Sequence, residues 1–303
     1  MSTPSIVIIT PYFGKWPEWF DLFLVSCRYN PTVNWHFFTD CPIPSDAPQN
    51  TTFTTINFDS YKDVVSRKLD ISFNPQSPYK LCDLKPAYGY IHSDIIKDYD
   101  FWGFGDIDVI YGNIRREYTD KLLNKYDLLS THWDRISGHL CILRNTPYIN
   151  EAFKKIPEWK KLFSQNDHLG LDESKFSKVF LRHKKYPSWL RSIYRLKDRY
   201  QRRAFFKEQY STPLTPKPWH NRNWEHPESW KWLDGKLTNA LDGDREFLYL
   251  HFMNWKSSTW LHKSRGEKAA WEDLRKLNFV RKEDALKGFS ISRKGFHSLK
   301  SSS

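Results

Sequence analysis

Ser5-Ile6-Val7-Ile8-Ile9-Thr10, running into Pro11-Tyr12-Phe13-Gly14, is the stretch that decides the class of fold. An unbroken apolar run of this length suits a strand buried on both faces, as in parallel sheets. The Pro-Tyr-Phe-Gly that follows reads as a loop at its carboxyl end. From Trp19 to Tyr29, Phe20, Phe23, Leu24 and Cys27 recur at helical spacing, and Asn34-Trp35-His36-Phe37-Phe38-Thr39 makes a second strand ending at Asp40. Strand, helix and strand within about forty residues predict a βαβ start and an α/β sheet. Ligands of such sheets sit beyond the carboxyl ends of the strands, where Pro11, Tyr12 and Asp40 lie.

Further along, Phe101-Trp102-Gly103-Phe104-Gly105-Asp106-Ile107-Asp108-Val109-Ile110-Tyr111-Gly112 sets two carboxylates one residue apart in an aromatic, β-branched run. In an extended segment such residues share a face, so Asp106 and Asp108 would aim at one point while Ile107 and Val109 pack the other way. Two oxygens converging from a strand end form half a site for a hard cation such as Mg²⁺ or Mn²⁺. If that cation also takes phosphate oxygens, the site handles a nucleotide diphosphate.

With 303 residues the chain can bury a substantial core, as one large domain or two small ones. A net charge of +12 favours an anionic partner. The 14 Trp, 16 Tyr and 21 Phe offer rings for stacking on sugars or bases, although most belong in a core. Cys27, Cys41, Cys82 and Cys141 have no metal-type spacing and read as reduced thiols. The first ten residues lack a basic, then apolar, leader pattern, and no stretch approaches ~20 apolar residues. A cytoplasmic location is expected.

Helices are expected over Leu81–Ile96, Asn113–Tyr126, Asn150–Phe163 and Gly266–Leu277, with another opening at Ser174 after Asp172-Glu173. Strands are expected at Asp127–Ser130, Ile136–Leu143 and Glu246–Met253. No internal repeat is visible.

Tyr79-Lys-Leu-Cys-Asp-Leu-Lys-Pro-Ala-Tyr-Gly89 ahead of Gly105-Asp106-Ile107-Asp108, with Leu250-His251-Phe-Met-Asn-Trp-Lys256 later, resembles metal-dependent glycosyltransferases of the GT-A fold, in particular bacterial polysaccharide-type transferases. It is distantly similar to glycogenin-type and mannosyl-type transferases. The resemblance covers roughly Ser5 to Trp260 and is weakest between Leu181 and Trp232. It implies a Rossmann-like fold with a mainly parallel central sheet, in a domain spanning 1–265. A basic aromatic insertion at 181–232 and a C-terminal helix with a basic tail at 266–303 complete the expected layout.

The resemblance also implies roles. Asp106, Asp108 and His251 would hold Mn²⁺ or Mg²⁺, and Lys256 would meet the donor phosphates. Pro11, Tyr12 and Asp40 would lie near the base and ribose, with Asp83 and Lys85 touching the donor sugar. Ser137-Gly138-His139 resembles the strand beneath the acceptor, and Asp172 or Glu173 would act as general base in an inverting enzyme. Blander readings stand beside these: a buried hydrogen-bonded imidazole for His251, a surface lysine for Lys256, and helix-start acids for Asp83, Asp172 and Glu173. Anomeric retention or inversion does not follow from the sequence. The implied donor is a nucleotide-diphosphate sugar and the implied acceptor a glycan or lipid-linked saccharide.

Between Leu181 and Lys207, cationic residues alternate with Trp189, Ile193, Leu196 and Tyr200 at three- and four-residue spacing. A helix of that kind suits an anionic membrane surface, here the inner leaflet. Nucleic acid is not an expected partner, since no zinc pattern or helix-turn-helix signature appears. Two other classes compete. A sugar-1-phosphate nucleotidyltransferase also uses paired acids and metal, but it normally opens with a Gly-rich basic phosphate loop that Pro11-Tyr-Phe-Gly-Lys-Trp16 does not resemble. A non-catalytic basic glycan- or membrane-binding protein need not bind nucleotide at all.

Overall fold

The computed structural model describes residues 3–181, 186, 187, 189, 190, 193, 197–256, 271 and 273–299. Its strands are β1 (Ile6–Pro11), β2 (Val33–Thr39), β3 (Thr51–Thr55), β4 (Phe101–Gly105), β5 (Val109–Tyr111), β6 (Leu128–Ser130) and β7 (Leu140–Arg144). They continue as β8 (Ala204–Phe206), β9 (Ser229–Leu233), β10 (Lys236–Asn239), β11 (Tyr249–His251), β12 (Phe289–Ser292) and β13 (Gly295–Ser298). The chain packs into two compact units. One holds the described residues of 1–16, 32–106 and 118–208, and the other those of 17–31, 107–117 and 209–303.

The first unit is a mixed α/β layer built on a seven-stranded, mainly parallel sheet of order β3-β2-β1-β4-β7-β6-β8. β1 lies between β2 and β4, parallel to both, with Ile6 opposite Val33 and Phe101. Ile6 to Ile9 are accordingly buried throughout, as a strand covered on both faces requires. β7 enters antiparallel to β4, with Gly105 opposite Leu140. Val7, Ile9, Trp102, Phe104, Cys141 and Leu143 join Tyr61, Val65 and Leu69 in one core. The last three recur every four residues along the helix Phe58–Leu69, whose Asn57 side chain accepts the Ser60 N–H.

The second unit contains the helix Phe20–Arg28, the antiparallel pair β5–β11, and a four-stranded antiparallel sheet of order β10-β9-β12-β13. Its core is unusually aromatic: Trp19, Trp219, Trp230, Trp232, Trp255 and Trp271 pack with Phe247, Phe252, Phe289 and Phe296. Much of the ring surplus in the composition is therefore packing.

Several expected elements come out differently. Strand β4 stops at Gly105, and Asp106, Ile107 and Asp108 lie outside any strand before β5 begins. The two carboxylates thus do not line one face of a single strand, although Ile107 and Val109 are buried as expected. The expected helix Leu81–Ile96 is a 3₁₀ helix over Pro78–Ala87 followed by two single turns, Tyr88–Ile91 and Ser93–Ile96. Pro86 has no N–H for an α-helical bond. Pro157 likewise divides Asn150–Phe163, leaving Trp159–Phe163 as the one α-helical turn of that run. The helix after Glu173 starts at Ser177.

In the basic aromatic segment, Ala204–Phe206 adds β8 to the edge of the large sheet beside β6. Tyr200 is buried against Tyr148, while Trp189 and Ile193 are exposed; Leu196 lies outside the described residues. Gly266–Ala270 of the last expected helix also lie outside them, and Leu274–Lys276 form a 3₁₀ turn. Phe289–Ser298 is a hairpin rather than a plain tail. No helix of the described residues is long and apolar enough to cross a membrane.

Candidate functional site

In the second unit the β5–β11 register sets His251 opposite Val109. Asp108, one residue earlier, therefore stands beside the imidazole, with His251 Nε2 at 3.6 Å from its Oδ1. The Phe252 N–H donates to the Asp108 carbonyl at 3.2 Å and closes this end of the ladder. The helical turn Met253–Lys256 then brings the Lys256 ammonium to 2.6 Å from Asp108 Oδ2. Both Asp108 and His251 are buried.

Burial alone would raise the Asp108 carboxyl, but the Lys256 ammonium and the His251 ring hold it well below the usual carboxylate range. Thr212 Oγ1 lies 3.1 Å from His251 Nδ1. The other neutral tautomer, with the ring proton on Nδ1 and donated to that hydroxyl, would instead turn the Nε2 lone pair toward Asp108, and it is the form that a shared cation requires. Two ligands of one divalent ion, each about 2.1 Å from it, stand roughly 3–3.7 Å apart. The 3.6 Å spacing and the partner on the second ring nitrogen fit a metal-binding pair.

In the first unit Asp106, Lys85, Gly138, Asp172 and Glu173 converge. Lys85 is buried, and its Nζ donates to Asp106 Oδ1 at 2.5 Å and to the Gly138 carbonyl at 2.9 Å, with Asp172 Oδ2 at 3.8 Å. Burial would lower the Lys85 ammonium, but Asp106 and Asp172 more than offset it and keep the group charged well above its ordinary range.

The two adjacent acids are shifted in opposite directions. Desolvation pushes the Asp172 carboxyl up to about 7, only partly countered by Lys85, and the neighbouring Glu173 charge adds to the rise. Glu173 is also desolvated, yet Arg135 and the Gly138 N–H bring it below its ordinary value. Its Oε2 accepts from Arg135 Nε and its Oε1 from Gly138 N, each at 3.1 Å. Glycine at 138 is what lets this cluster close. A Cβ there would stand 2.8 Å from Asp172 Oδ2 and 3.3 Å from Glu173 Oε1.

At the strand ends of the same unit, Asp40 Oδ1 accepts the Gly14 N–H at 2.7 Å, which fastens the β1 loop to the end of β2. Gly14 adopts φ +106°, a conformation that favours glycine. Tyr12 stacks on Trp16 with ring centroids 5.1 Å apart, and the Tyr12 hydroxyl donates to the Lys15 carbonyl. Pro11 and Tyr12 are half-buried, and Asp40 is exposed.

Asp83 is the expectation that changes most. It is fully buried, and its oxygens accept from Lys80 Nζ at 2.9 Å and from the Leu169 and Leu171 N–H groups at 2.8 Å each. Lys80 Nζ in turn donates to the Leu162 and Asp167 carbonyls. Asp83 thus has no exposed surface for a donor sugar. It clamps the loop that leads into Asp172. Sequence reasoning passes over Arg135 and Thr212, and it sets Lys80 near the start of the expected helix without giving it a role. Only Lys80 carried a signal, the three-residue spacing to Asp83.

A model of a family described as of unknown function, DUF6625, matches residues 8–298. The chain belongs to that family. No curated protein matches this DUF6625 member in sequence. Among solved structures it is similar to the mannosyltransferase Ktr4p from S. cerevisiae, at 11% identity and TM-score 0.37 over 58% of this chain and 65% of that one. It is also similar to the galactosyltransferase LgtC in complex with donor and acceptor sugar analogues, at 10% identity and TM-score 0.40 over 91% and 98% of the two chains. An active-site mutant of LgtC gives 10% identity and TM-score 0.40 over 93% and 99%. These neighbours are glycosyltransferases. At such identities and TM-scores, function in the DUF6625 chain has to be argued from its own residues.

Proposed function

We propose that this DUF6625 chain is a metal-dependent glycosyltransferase of the GT-A type, moving a sugar from a nucleotide-diphosphate sugar to a hydroxyl of a surface glycan such as an O-antigen or capsule. The observation that carries the reading is the grouping of Asp108, His251 and Lys256 at the β5–β11 end, an acid and an imidazole beside an ammonium. Asp108 and His251, with Asp106 two residues before Asp108 in the chain, are the proposed ligands of Mn²⁺ or Mg²⁺. When bound, such an ion supplies Lewis acidity toward the leaving diphosphate. Lys256 swings from Asp108 to the donor phosphates as a second positive charge.

Lys85 keeps the sugar side cationic and orders Asp106. Asp172 is better suited than Glu173 to accept a proton, because both Glu173 oxygens are occupied by Arg135 and Gly138. In an inverting reaction the acceptor O–H proton passes to Asp172, the acceptor oxygen bonds to the anomeric carbon, and the bond to the diphosphate oxygen breaks. Pro11, Tyr12 and Asp40 receive the base and ribose. The 1–265 transferase domain, its basic insertion and peripheral attachment to the inner membrane face belong to the same proposal.

Thermal-shift screening of nucleoside diphosphates with and without Mn²⁺, repeated on Asp108→Asn, tests it. One nucleotide class should stabilise the wild type only with metal, and the substitution should remove the effect. Equal shifts in both proteins reject the assignment, and nucleotide binding that ignores manganese favours a non-catalytic scaffold.

A further inference from the structure

A second cluster shares only Glu173 with the site of the proposed reaction. His132 and His139 are buried, and their Nε2 atoms face each other at 3.0 Å. Both Glu208 oxygens lie 3.1 Å from His132 Nδ1. With Nδ1–H donating to that carboxylate, the His132 Nε2 lone pair is fixed inward, the arrangement in which a carboxylate orients a metal-bound histidine. A Glu173 carboxylate oxygen completes a set of three ligand atoms lying within 4.8 Å of one another.

Two imidazole nitrogens about 2.0–2.1 Å from one zinc ion stand roughly 2.9–3.4 Å apart for angles between about 90° and 110°. The observed 3.0 Å falls in that range. A cation of the chain's own contacts two of these ligands. Arg135 donates from Nη2 to His132 Nε2 and from Nε to Glu173 Oε2, each at 3.1 Å. An imidazole nitrogen has one lone pair, yet His132 Nε2 is approached by both the His139 ring and the Arg135 guanidinium. Arg135 is about one-third exposed and already reaches Asp134 Oδ1 at 3.2 Å, so it has an outward partner to turn to.

We propose that His132 Nε2, His139 Nε2 and Glu173 form a binding site for a borderline divalent transition metal, Zn²⁺ in chemical class, with Glu208 orienting His132 and Arg135 as a displaceable placeholder. Two nitrogens and one carboxylate select such ions over Mg²⁺ and Mn²⁺, which prefer oxygen shells. Binding exchanges one guanidinium for one divalent ion and breaks no covalent bond. The site locks the β6–β7 connection to the segment bearing Asp172 and to the residues entering from β8.

The test uses the Asp108→Asn protein, so that the proposed catalytic cation does not contribute, and titrates Zn²⁺ by calorimetry and Co²⁺ by visible absorption. One equivalent of each ion is expected, with a Co²⁺ spectrum of imidazole type. His139→Gln in that background should weaken binding at least tenfold. Arg135→Gln, which leaves every ligand in place, should tighten it severalfold by removing the competing cation. No stoichiometric binding, binding that ignores His139→Gln, or weaker binding after Arg135→Gln overturns the proposal. Nucleotide binding with Mn²⁺ by the single variant His139→Gln is read separately. Its persistence alongside lost Zn²⁺ binding confirms that the two readings stand apart.

Discussion

Asp172→Asn should make this protein more stable at pH 8 and leave it unchanged near pH 4. Asp172 is 4% exposed, and its carboxyl is pushed from an ordinary 3.8 up to about 7. The folded chain therefore keeps a proton on Asp172 across a window in which the unfolded chain has released it. Raising the pH through that window removes stability, fully lost above about 7. A change from 3.8 to about 7 corresponds to a ceiling of roughly 4 kcal/mol, at about 1.4 kcal/mol per tenfold change in proton affinity. Water entry and a closer approach of Lys85 trim this, so about 1–3 kcal/mol is expected. Asparagine carries no charge to desolvate and escapes the loss. Urea unfolding of both proteins at pH 4, 6 and 8, in chelator to keep metals out, reads the difference directly. A variant that loses stability equally at all three pH values, or most at pH 8, refutes the argument.

Other substitutions probe neighbouring features. Gly138→Ala puts a Cβ 2.8 Å from Asp172 Oδ2, so sugar transfer should fall at least tenfold while circular dichroism and the unfolding midpoint stay near wild type; full activity would sink the idea that the close approach matters. Lys80→Met strands a buried Asp83 and two carbonyls, and calorimetric or denaturant unfolding should show a loss of about 3–5 kcal/mol. The basic segment near Trp189 and Ile193, both exposed, should bring the protein down with anionic vesicles at low salt and release it at high salt; no co-sedimentation at low salt removes the membrane from the proposal.

The β-strands of the large sheet were the legible part of the sequence. Ile6–Ile9 is an apolar run and Trp35–Thr39 a mainly aromatic one, and both are buried as such stretches require. The grouping of His251 with Asp108 was also anticipated, because a later His followed by Lys matched a known arrangement. What escaped reading depends on tertiary partners. The 3₁₀ form of Pro78–Ala87 and the break at Asp106 turn on local hydrogen bonds that periodicity does not encode. Asp83 looked like a ligand contact because charge near a helix start is ambiguous. Only the loop at Leu162–Leu171, some eighty residues on, shows that both its oxygens are already committed. The opposite proton affinities of Asp172 and Glu173 were equally hidden, since Arg135 reaches one acid and not the other.

The ammonium at position 80 sends its three hydrogens to three different oxygens, on Asp83, Leu162 and Asp167. That is a tetrahedral demand, and a flat guanidinium, with its donors confined to one plane, has no way to meet it. Arginine is thus as poor a replacement here as methionine, and no hydrophobic pair of equal volume serves either, because four main-chain groups would lose their partners. The loop that presents the acidic couple has in effect been given one permitted residue at each of two positions. Any attempt to rebuild this protein with a new specificity should leave those two untouched.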